Sequence, residues 1–161
     1  MPRILESQIG QILQERRLKL VLAESCTGGL LGSRITDVPG SSEYFLGGVV
    51  AYAYEAKADL LGVSWDTLNT KGAVSRETVL EMARGIRKQM KAHIAVSVSG
   101  IAGPGGGTLE KPVGTTWIGL VAEDGEWAKH FQFSGDREEN KLSAVDAALQ
   151  LLWDYLQEKK I

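Results

Sequence analysis

A short apolar segment, residues 18–22, is followed at once by a small polar sequence that ends in two glycines. The apolar segment predicts a buried strand, and the spacing from about Gly29 to Thr36 predicts a helix. Ser25 therefore lies between a strand and a helix, where unpaired amide N–H groups carry partial positive charge. A serine oxygen there can attack a carbonyl while the amides stabilise the oxyanion, although a plain helix N-cap is the structural alternative.

The rest of the chain predicts an alternation of helices and strands. Apolar residues at helical spacing predict helices over residues 4–16, 29–36 and 54–61, a helical turn over 64–69, and helices that begin at Ser75 and near 135–137. Strands are predicted over residues 19–23, 45–53, 94–98, 114–122 and 127–133, with a bend or a close backbone approach at Gly47-Gly48. This order predicts an α/β fold, in which a single three-layer domain over residues 1–161 has a mixed β-sheet and helices on both faces.

Composition excludes several classes of protein. The 161 residues carry a formal net charge of -2, which argues against a general affinity for nucleic acid. Cys26 is the only cysteine, so an internal disulfide and a cysteine-cluster metal site are excluded. The first residues lack the apolar core of a signal peptide, and no apolar run approaches the roughly 20 residues of a membrane span. We expect a cytoplasmic protein that does not bind membranes.

A lysine is a better candidate than a histidine for the base that would activate Ser25. His93 and His130 lie at or in predicted strands without a partner at metal-ligand spacing, so we interpret them as ordinary strand or surface residues. Tyr52 and Lys57 follow the second strand, and both are expected over the sheet edge that presents Ser25. A desolvated lysine loses proton affinity and can serve as a base near neutral pH. The alternative is a solvated helix lysine.

A glycine-rich loop, residues 99–108, follows the third strand. Gly100 and Gly105 have the spacing of a P-loop, but the Lys-Ser/Thr pair is missing and a strand follows instead of a helix. Thr108 stands where Gly-x-Gly-x-x-Gly needs its last glycine, so both nucleotide fingerprints are rejected. The loop either brings exposed amides close to a ligand or is a flexible connection. Arg137 opens the last helix and fits either a phosphate site or a surface capping cluster.

Six segments spread in order over nearly the whole chain resemble the CinA C-terminal domain family, whose active members are nicotinamide mononucleotide amidohydrolases. In that family the domain stands alone or follows a larger N-terminal domain, and the resemblance here is to the stand-alone form. The segments are AESCTGG at 23–29, Tyr52 with EAK at 55–57, GAVS at 72–75, SGIAGP at 99–104, KPVGT at 111–115 and GDR at 135–137.

The resemblance implies hydrolysis of the carboxamide of nicotinamide mononucleotide to nicotinic acid mononucleotide and ammonia. Ser25 would be the nucleophile, Lys57 its general base, and Tyr52 a proton relay or an orienting group. Residues that would form the oxyanion hole or contact the nucleotide are Thr27, Gly28, Gly29, Gly100, Ala102, Gly103 and Gly105. Arg137 would help to hold the phosphate.

The resemblance also sets expectations for ligands and leaves alternatives. It implies a small pyridine nucleotide as substrate, no metal and no organic cofactor, and we expect a homo-oligomer, either a dimer or a trimer. The pair Ala53-Tyr54 is less typical of the family and would alter the pocket wall. A non-catalytic regulatory module that binds a nucleotide, or an amidase for another small amide, would fit the same residues.

Overall fold

The computed structural model describes residues 4–158, in which five strands form one open sheet. The spatial order of the strands is β2-β1-β3-β4-β5. Strand β1 pairs in parallel with β2 and β3, whereas β4 is antiparallel to both β3 and β5. The predicted mixed sheet is therefore confirmed. The strands are β1 Leu20–Glu24, β2 Phe45–Val50, β3 Ile94–Gly100, β4 Thr115–Ala122 and β5 Gly125–Gln132.

Helices cover both faces of the sheet, as predicted. On one face α1, α2 and α6 share a core with the strands, and on the other face α3, α4 and α5 build a second core. The helices are α1 Ile4–Glu15, α2 Leu30–Thr36, α3 Tyr54–Leu61, α4 Trp65–Lys71, α5 Arg76–Met90 and α6 Arg137–Leu156, with a 3-10 turn at Ser41–Glu43. Within residues 4–158, no helix is long and apolar enough to cross a bilayer.

Strand β1 is buried along its whole length, and its side chains alternate between the two cores. Leu20 and Leu22 belong to the core of α1, α2 and α6, whereas Val21 and Ala23 belong to the core of α3, α4 and α5. Successive side chains of a strand point to opposite faces. Glu24, the last residue of β1, therefore points towards α2. If the alternation is continued to the next residue, Ser25 points towards α3.

Several helices have capping residues at the ends that the sequence predicts. Ser75 accepts a hydrogen bond from the Thr78 amide at the start of α5, and Asp136 forms a capping box with Glu139 at the start of α6. Gly62, with φ 70°, ends α3. Two apolar residues of these helices lie outside the core, since Met90 of α5 is 39% exposed and Leu142 of α6 is 42% exposed.

The second strand is shorter than predicted. Gly47 has φ 139°, the β1–β2 ladder shifts register beside it, and a Cβ on Gly48 would lie 2.9 Å from the carbonyl oxygen of Leu22. The predicted bend and close approach are therefore confirmed. The predicted end at residue 53 is wrong, because β2 stops at Val50 and the next two carbonyls, of Ala51 and Tyr52, accept hydrogen bonds from a lysine side chain.

Candidate active site

The segments that follow the three parallel strands meet at one edge of the sheet. Ser25 follows β1, Ala51 follows β2, and the glycine-rich loop follows β3. The Ser25 amide donates to the Val98 carbonyl over 2.9 Å, and the Ala51 amide donates to the Glu24 carbonyl over 2.8 Å. These bonds extend the ladder beyond β1, so the peptide unit between Glu24 and Ser25 is held by the neighbouring chain segments on both sides.

Lys57, on the second turn of α3, contacts Ser25 directly. Its Nζ lies 2.9 Å from Ser25 Oγ, and the lysine is fully buried while Ser25 is 7% exposed. The Nζ also donates to the carbonyl oxygens of Ala51 over 2.8 Å and of Tyr52 over 2.9 Å. An ammonium has three donors, and all three are used here. In the neutral amine, the two carbonyls can keep the two remaining hydrogens, which leaves the lone pair facing the serine hydroxyl.

Burial changes the acidity of this lysine. Desolvation lowers the pKa of Lys57 from 10.5 to about 8, and the neighbouring Cys26 thiol acts weakly in the opposite direction. At pH 7 about a tenth of such lysines are neutral, compared with fewer than about one in a thousand at the ordinary pKa. The structure therefore provides a base that is partly available near neutral pH.

Glu24 is a buried carboxylate beside the serine to which the sequence analysis gave no role. It is 4% exposed and accepts hydrogen bonds from Thr27 Oγ1 over 2.6 Å, from the Leu31 amide over 2.9 Å and from the Gly32 amide over 3.0 Å. The expectation that the first amides of this helix are unpaired is therefore wrong for Leu31 and Gly32. A carboxylate placed just before a strand-to-helix turn is the signal that points to this contact, because anions stabilise helix N-termini.

The amides of the turn after Ser25 differ in their availability. The Gly28 amide donates to the Ser25 carbonyl over 3.1 Å, whereas the amides of Thr27 and Gly29 donate no hydrogen bond within residues 4–158. Gly28 and Gly29 have φ values of 60° and 99°, a left-handed conformation that other residues rarely adopt. The Cys26 amide also donates to no other residue among residues 4–158, so the geometry leaves three amide donors open in the residues that follow the serine.

The side chain of Tyr52 is bonded to Arg137 instead of to the serine or the lysine. Arg137 Nη2 donates to the Tyr52 hydroxyl over 3.1 Å, and Nη1 donates to the Gly103 carbonyl over 2.6 Å. Tyr52 is 60% exposed, and it contacts Lys57 through its backbone carbonyl. The structure therefore brings Tyr52, Gly103 and Arg137 together in one exposed bridge next to the buried Ser25–Lys57 pair.

The glycine-rich loop is held close to the sheet at its start and is exposed further on. A Cβ on Gly100 would lie 2.6 Å from Thr116 Oγ1 and 3.1 Å from Cys26 Sγ, whereas Gly105 is exposed with open space around it. Asn140, a buried residue of α6 that the sequence analysis missed, donates to the Ala102 carbonyl over 3.0 Å. Its place one helical turn before the apolar residues Ala144 and Val145 is the signal that the sequence offers.

A groove of about 600 Å³ lies beside the glycine-rich loop. A second cavity of about 410 Å³ adjoins it, since Arg137 and Glu138 line both. Volumes of this size are typical of small-molecule sites. Ser25 and Lys57 do not line either cavity, so Arg137 and Tyr52 are the connection between the groove and the buried pair. The larger groove is lined by Ala102, Pro104, Val113, Gly135, Asp136, Arg137 and Glu138.

The other reactive side chains have structural partners. His93 Nδ1 accepts from the Lys19 amide over 2.9 Å, and His130 lies against Trp117 with ring centroids 5.1 Å apart. Burial raises the pKa of the Cys26 thiol to about 11, so its thiolate is scarce at neutral pH. Across residues 4–158, no three His, Cys, Asp or Glu side chains gather in a way that could hold a metal ion.

The family model described as CinA C-terminal domain matches residues 3–156. The chain belongs to this family. A CinA-like protein of Chlorobaculum tepidum is 51% identical over 159 residues, which cover 96% of this chain and 38% of that protein. The chain therefore spans little more than a third of the length of the curated relatives that it matches.

Two solved structures of the same superfamily share the fold along their whole length. The competence/damage inducible protein CihA of Agrobacterium tumefaciens is 41% identical, with a TM-score of 0.93 and coverage of 96% of this chain and 94% of that one. The competence damage-inducible protein A (ComA) of Klebsiella pneumoniae subsp. pneumoniae MGH 78578 is 35% identical, with a TM-score of 0.94 and 98% coverage of both chains. These names refer to competence and damage and state no reaction.

Proposed function

We propose that this chain is an amidohydrolase that converts nicotinamide mononucleotide to nicotinic acid mononucleotide and ammonia. The observation that carries the proposal is the buried contact of 2.9 Å between Lys57 Nζ and Ser25 Oγ. A serine activated by a desolvated lysine is a known way to run acyl transfer without histidine. Membership of the CinA C-terminal domain family supports the choice of substrate.

The first step forms an ester on Ser25. Neutral Lys57 takes the proton of the Ser25 hydroxyl, and Oγ forms a bond to the carboxamide carbon while the carbonyl oxygen becomes an oxyanion. The open amides of Cys26, Thr27 and Gly29 are the donors that this turn offers to that oxygen. As the oxyanion collapses, the C–N bond breaks, and the leaving nitrogen takes the proton from Lys57 and departs as ammonia.

The second step hydrolyses the ester on Ser25. Neutral Lys57 takes a proton from water, and the hydroxide oxygen attacks the ester carbon. Collapse breaks the bond to Ser25 Oγ, which recovers its proton from Lys57. The product acid ionises at neutral pH. The two carbonyls that hold Lys57, of Ala51 and Tyr52, keep its Nζ in place while it exchanges this proton.

The groove beside Arg137 supports a nucleotide substrate. Two of the five guanidinium N–H groups donate to Gly103 and Tyr52, which leaves three for a phosphate. The capping box of Asp136 uses the Glu139 amide, so the guanidinium and the amides of Arg137 and Glu138 are the phosphate partners that this region offers. The adjacent carboxylates of Asp136 and Glu138 also line the groove and favour a ligand that presents hydroxyl donors beside its phosphate.

Ammonia release tests the proposal. The substrates are nicotinamide mononucleotide, its nucleoside, free nicotinamide and an unrelated small amide, and the variants are Ser25→Ala and Cys26→Ala. Ser25→Ala is expected to lose at least about 10³-fold in kcat, the scale of removing a nucleophile. Cys26→Ala is the neighbouring control and is expected to stay within about threefold of wild type, because its thiol lies in the opposite core.

Other outcomes would assign the site differently. If Ser25→Ala keeps more than roughly a tenth of the wild-type rate, Ser25 is not the nucleophile. Equal hydrolysis of all amides would favour a general small-amide amidase. Binding of the nucleotide without any ammonia release would favour a regulatory binding module.

A further inference from the structure

We infer that Glu24 is a positioning residue, whose buried carboxylate holds the turn that presents Ser25 to Lys57. The inference rests on the proposed use of Ser25 as a nucleophile. It gives a role to a charged group that the two chemical steps above do not use. Glu24 does not contact Lys57 or the hydroxyl of Ser25, so it would act on the reaction only through the shape of the turn.

The Glu24 carboxylate accepts hydrogen bonds from the segment that follows Ser25. Its Oε1 accepts from Thr27 Oγ1 over 2.6 Å and from the Leu31 amide over 2.9 Å, and its Oε2 accepts from the Gly32 amide over 3.0 Å. Glu24 itself is the last residue of β1, directly before Ser25. The residues before and after Ser25 are therefore joined through one side chain, which closes the turn around the serine.

The backbone of Glu24 reaches the lysine half of the site. Its carbonyl oxygen accepts from the Ala51 amide over 2.8 Å, and the Ala51 carbonyl in turn accepts from Lys57 Nζ over 2.8 Å. A displacement of Glu24 would therefore change the position of the serine and of the carbonyl that holds the lysine. The two reacting groups share this residue as a common support.

The chemistry of the contacts requires a carboxylate. Three donors converge on Glu24, and an ionised carboxylate offers acceptor lone pairs on both oxygens. The positive end of α2 stabilises the buried negative charge. A glutamine has one acceptor oxygen, so its amide nitrogen would face a backbone N–H and push the turn away from the start of α2. Even a displacement of about 1 Å near reacting groups can reduce a rate by about 100-fold.

The test measures the nucleophile without an amide substrate. A fluorophosphonate reacts when Ser25 Oγ displaces fluoride from phosphorus and Lys57 takes the serine proton, so the labelling rate of Ser25, followed by mass spectrometry, reports how well the pair is aligned. Glu24→Gln is expected to label about 100-fold more slowly than wild type. Thr27→Val, which removes one of the three bonds, is expected to label about tenfold more slowly. Thr27→Ser restores a hydroxyl and should label several-fold faster than Thr27→Val.

Glu6→Gln is the matched control. Glu6 is also a buried carboxylate, 2% exposed, but it pairs with Arg34 and lies on α1, away from Ser25. It should lose stability without slowing the labelling of Ser25. In ammonia release, Glu24→Gln should lower kcat while KM stays within about threefold of wild type, because the groove that binds substrate is not altered.

The possible results separate this inference from the proposed function. If Glu24→Gln folds and its Ser25 is labelled as fast as in wild type, the positioning role is overturned. If Glu24→Gln does not fold, Thr27→Val decides instead, and a labelling rate equal to that of wild type overturns the role. If wild type labels, Glu24→Gln labels slowly and no amide releases ammonia, the proposed function fails and the positioning role stands. If the wild-type protein is not labelled at Ser25, the inference that the turn aligns a reactive serine is overturned, and ammonia release still decides the proposed function.

Discussion

The Ser25–Lys57 corner and the Arg137 bridge lie at the same edge of the sheet, yet their surroundings differ. Lys57 is fully buried and its Nζ has three protein partners, whereas Tyr52 is 60% exposed and Arg137 is exposed beside a groove of about 600 Å³. Burial fixes geometry and changes the pKa of the lysine. Exposure leaves the guanidinium of Arg137 open to a ligand. This difference is the reason that we propose a catalytic role for the Ser25–Lys57 pair and a binding role for Arg137.

The strongest test of this comparison replaces Lys57 by arginine. Arginine keeps the charge but does not deprotonate in proteins, so Lys57→Arg is expected to lower kcat by at least about 10³-fold. In wild type, kcat/KM should rise with pH and level off above about 8, because kcat/KM reports the free enzyme, in which the pKa of the base Lys57 is lowered to about 8. Stopped ammonia assays across this pH range measure both effects.

Lys88→Arg, on the exposed last turn of α5, is the control for the substitution itself and should behave as wild type. A Lys57→Arg protein that keeps wild-type activity would mean that the lysine supplies only charge. Lys57 would then contribute only a positive charge, as Arg137 does, and would not act as the base.

A second test uses the stability of the corner. The folded protein holds the Lys57 proton less tightly than the unfolded chain, since the pKa falls from 10.5 to about 8 on folding. The unfolded state therefore binds more protons between these values, and stability rises with pH across this window. Relative to Lys57→Met, wild type should gain about 3 kcal/mol in free energy of unfolding between about pH 7 and pH 11.

Urea unfolding of both proteins at each pH measures this difference, in which the titration of groups that do not interact with Lys57 cancels, and a Cys26→Ala background removes the one neighbour that does. A difference that stays constant with pH would show that the lysine is not desolvated in solution. The contrast between the buried corner and the exposed bridge would then be lost.

The smallest expected effect belongs to the bridge. Arg137→Ala is expected to lower kcat/KM for nicotinamide mononucleotide by about tenfold, and to affect the nucleoside less, because charge-assisted bonds to a phosphate are worth roughly 1.5–3 kcal/mol. Arg137→Lys keeps a positive side chain but loses the paired hydrogen bonds to Tyr52 and Gly103. Its kcat/KM for nicotinamide mononucleotide should lie between the values of wild type and Arg137→Ala. If both substrates lose equally, Arg137 acts through Tyr52 and Gly103 instead of through the phosphate.

Local patterns predict the elements of this fold well, and their ends less well. The helix over 54–61 and the caps at Ser75 and Asp136 follow from side-chain spacing and from local hydrogen bonds. Strand β2 ends three residues early because the carbonyls of Ala51 and Tyr52 turn to Lys57, a contact that periodicity does not contain. Leu142 follows helical spacing and is still 42% exposed, because it lines a surface cavity with Leu30 instead of packing into the core.

The candidate site shows the same limit. Ser25, Lys57, Tyr52 and Arg137 were selected from the sequence, and the structure places them at one edge, although the tyrosine side chain is bonded to Arg137 and not to the serine. Glu24 and Asn140 were missed, because a carboxylate or an amide has no visible role until its donors or acceptors are placed around it.

The sequence by itself determined that a serine stands between a buried strand and a helix, and that the only cysteine lies next to it. Strand alternation, which depends on neighbouring residues alone, also decides that Ser25 and Glu24 point to opposite faces. Only the tertiary structure decided that Lys57, 32 residues away, is buried against Ser25, and that Arg137 meets Tyr52 across 85 residues. The physical reason is that desolvation and hydrogen bonding act over a few ångströms in space, so they depend on which distant segments the packing of the sheet brings together.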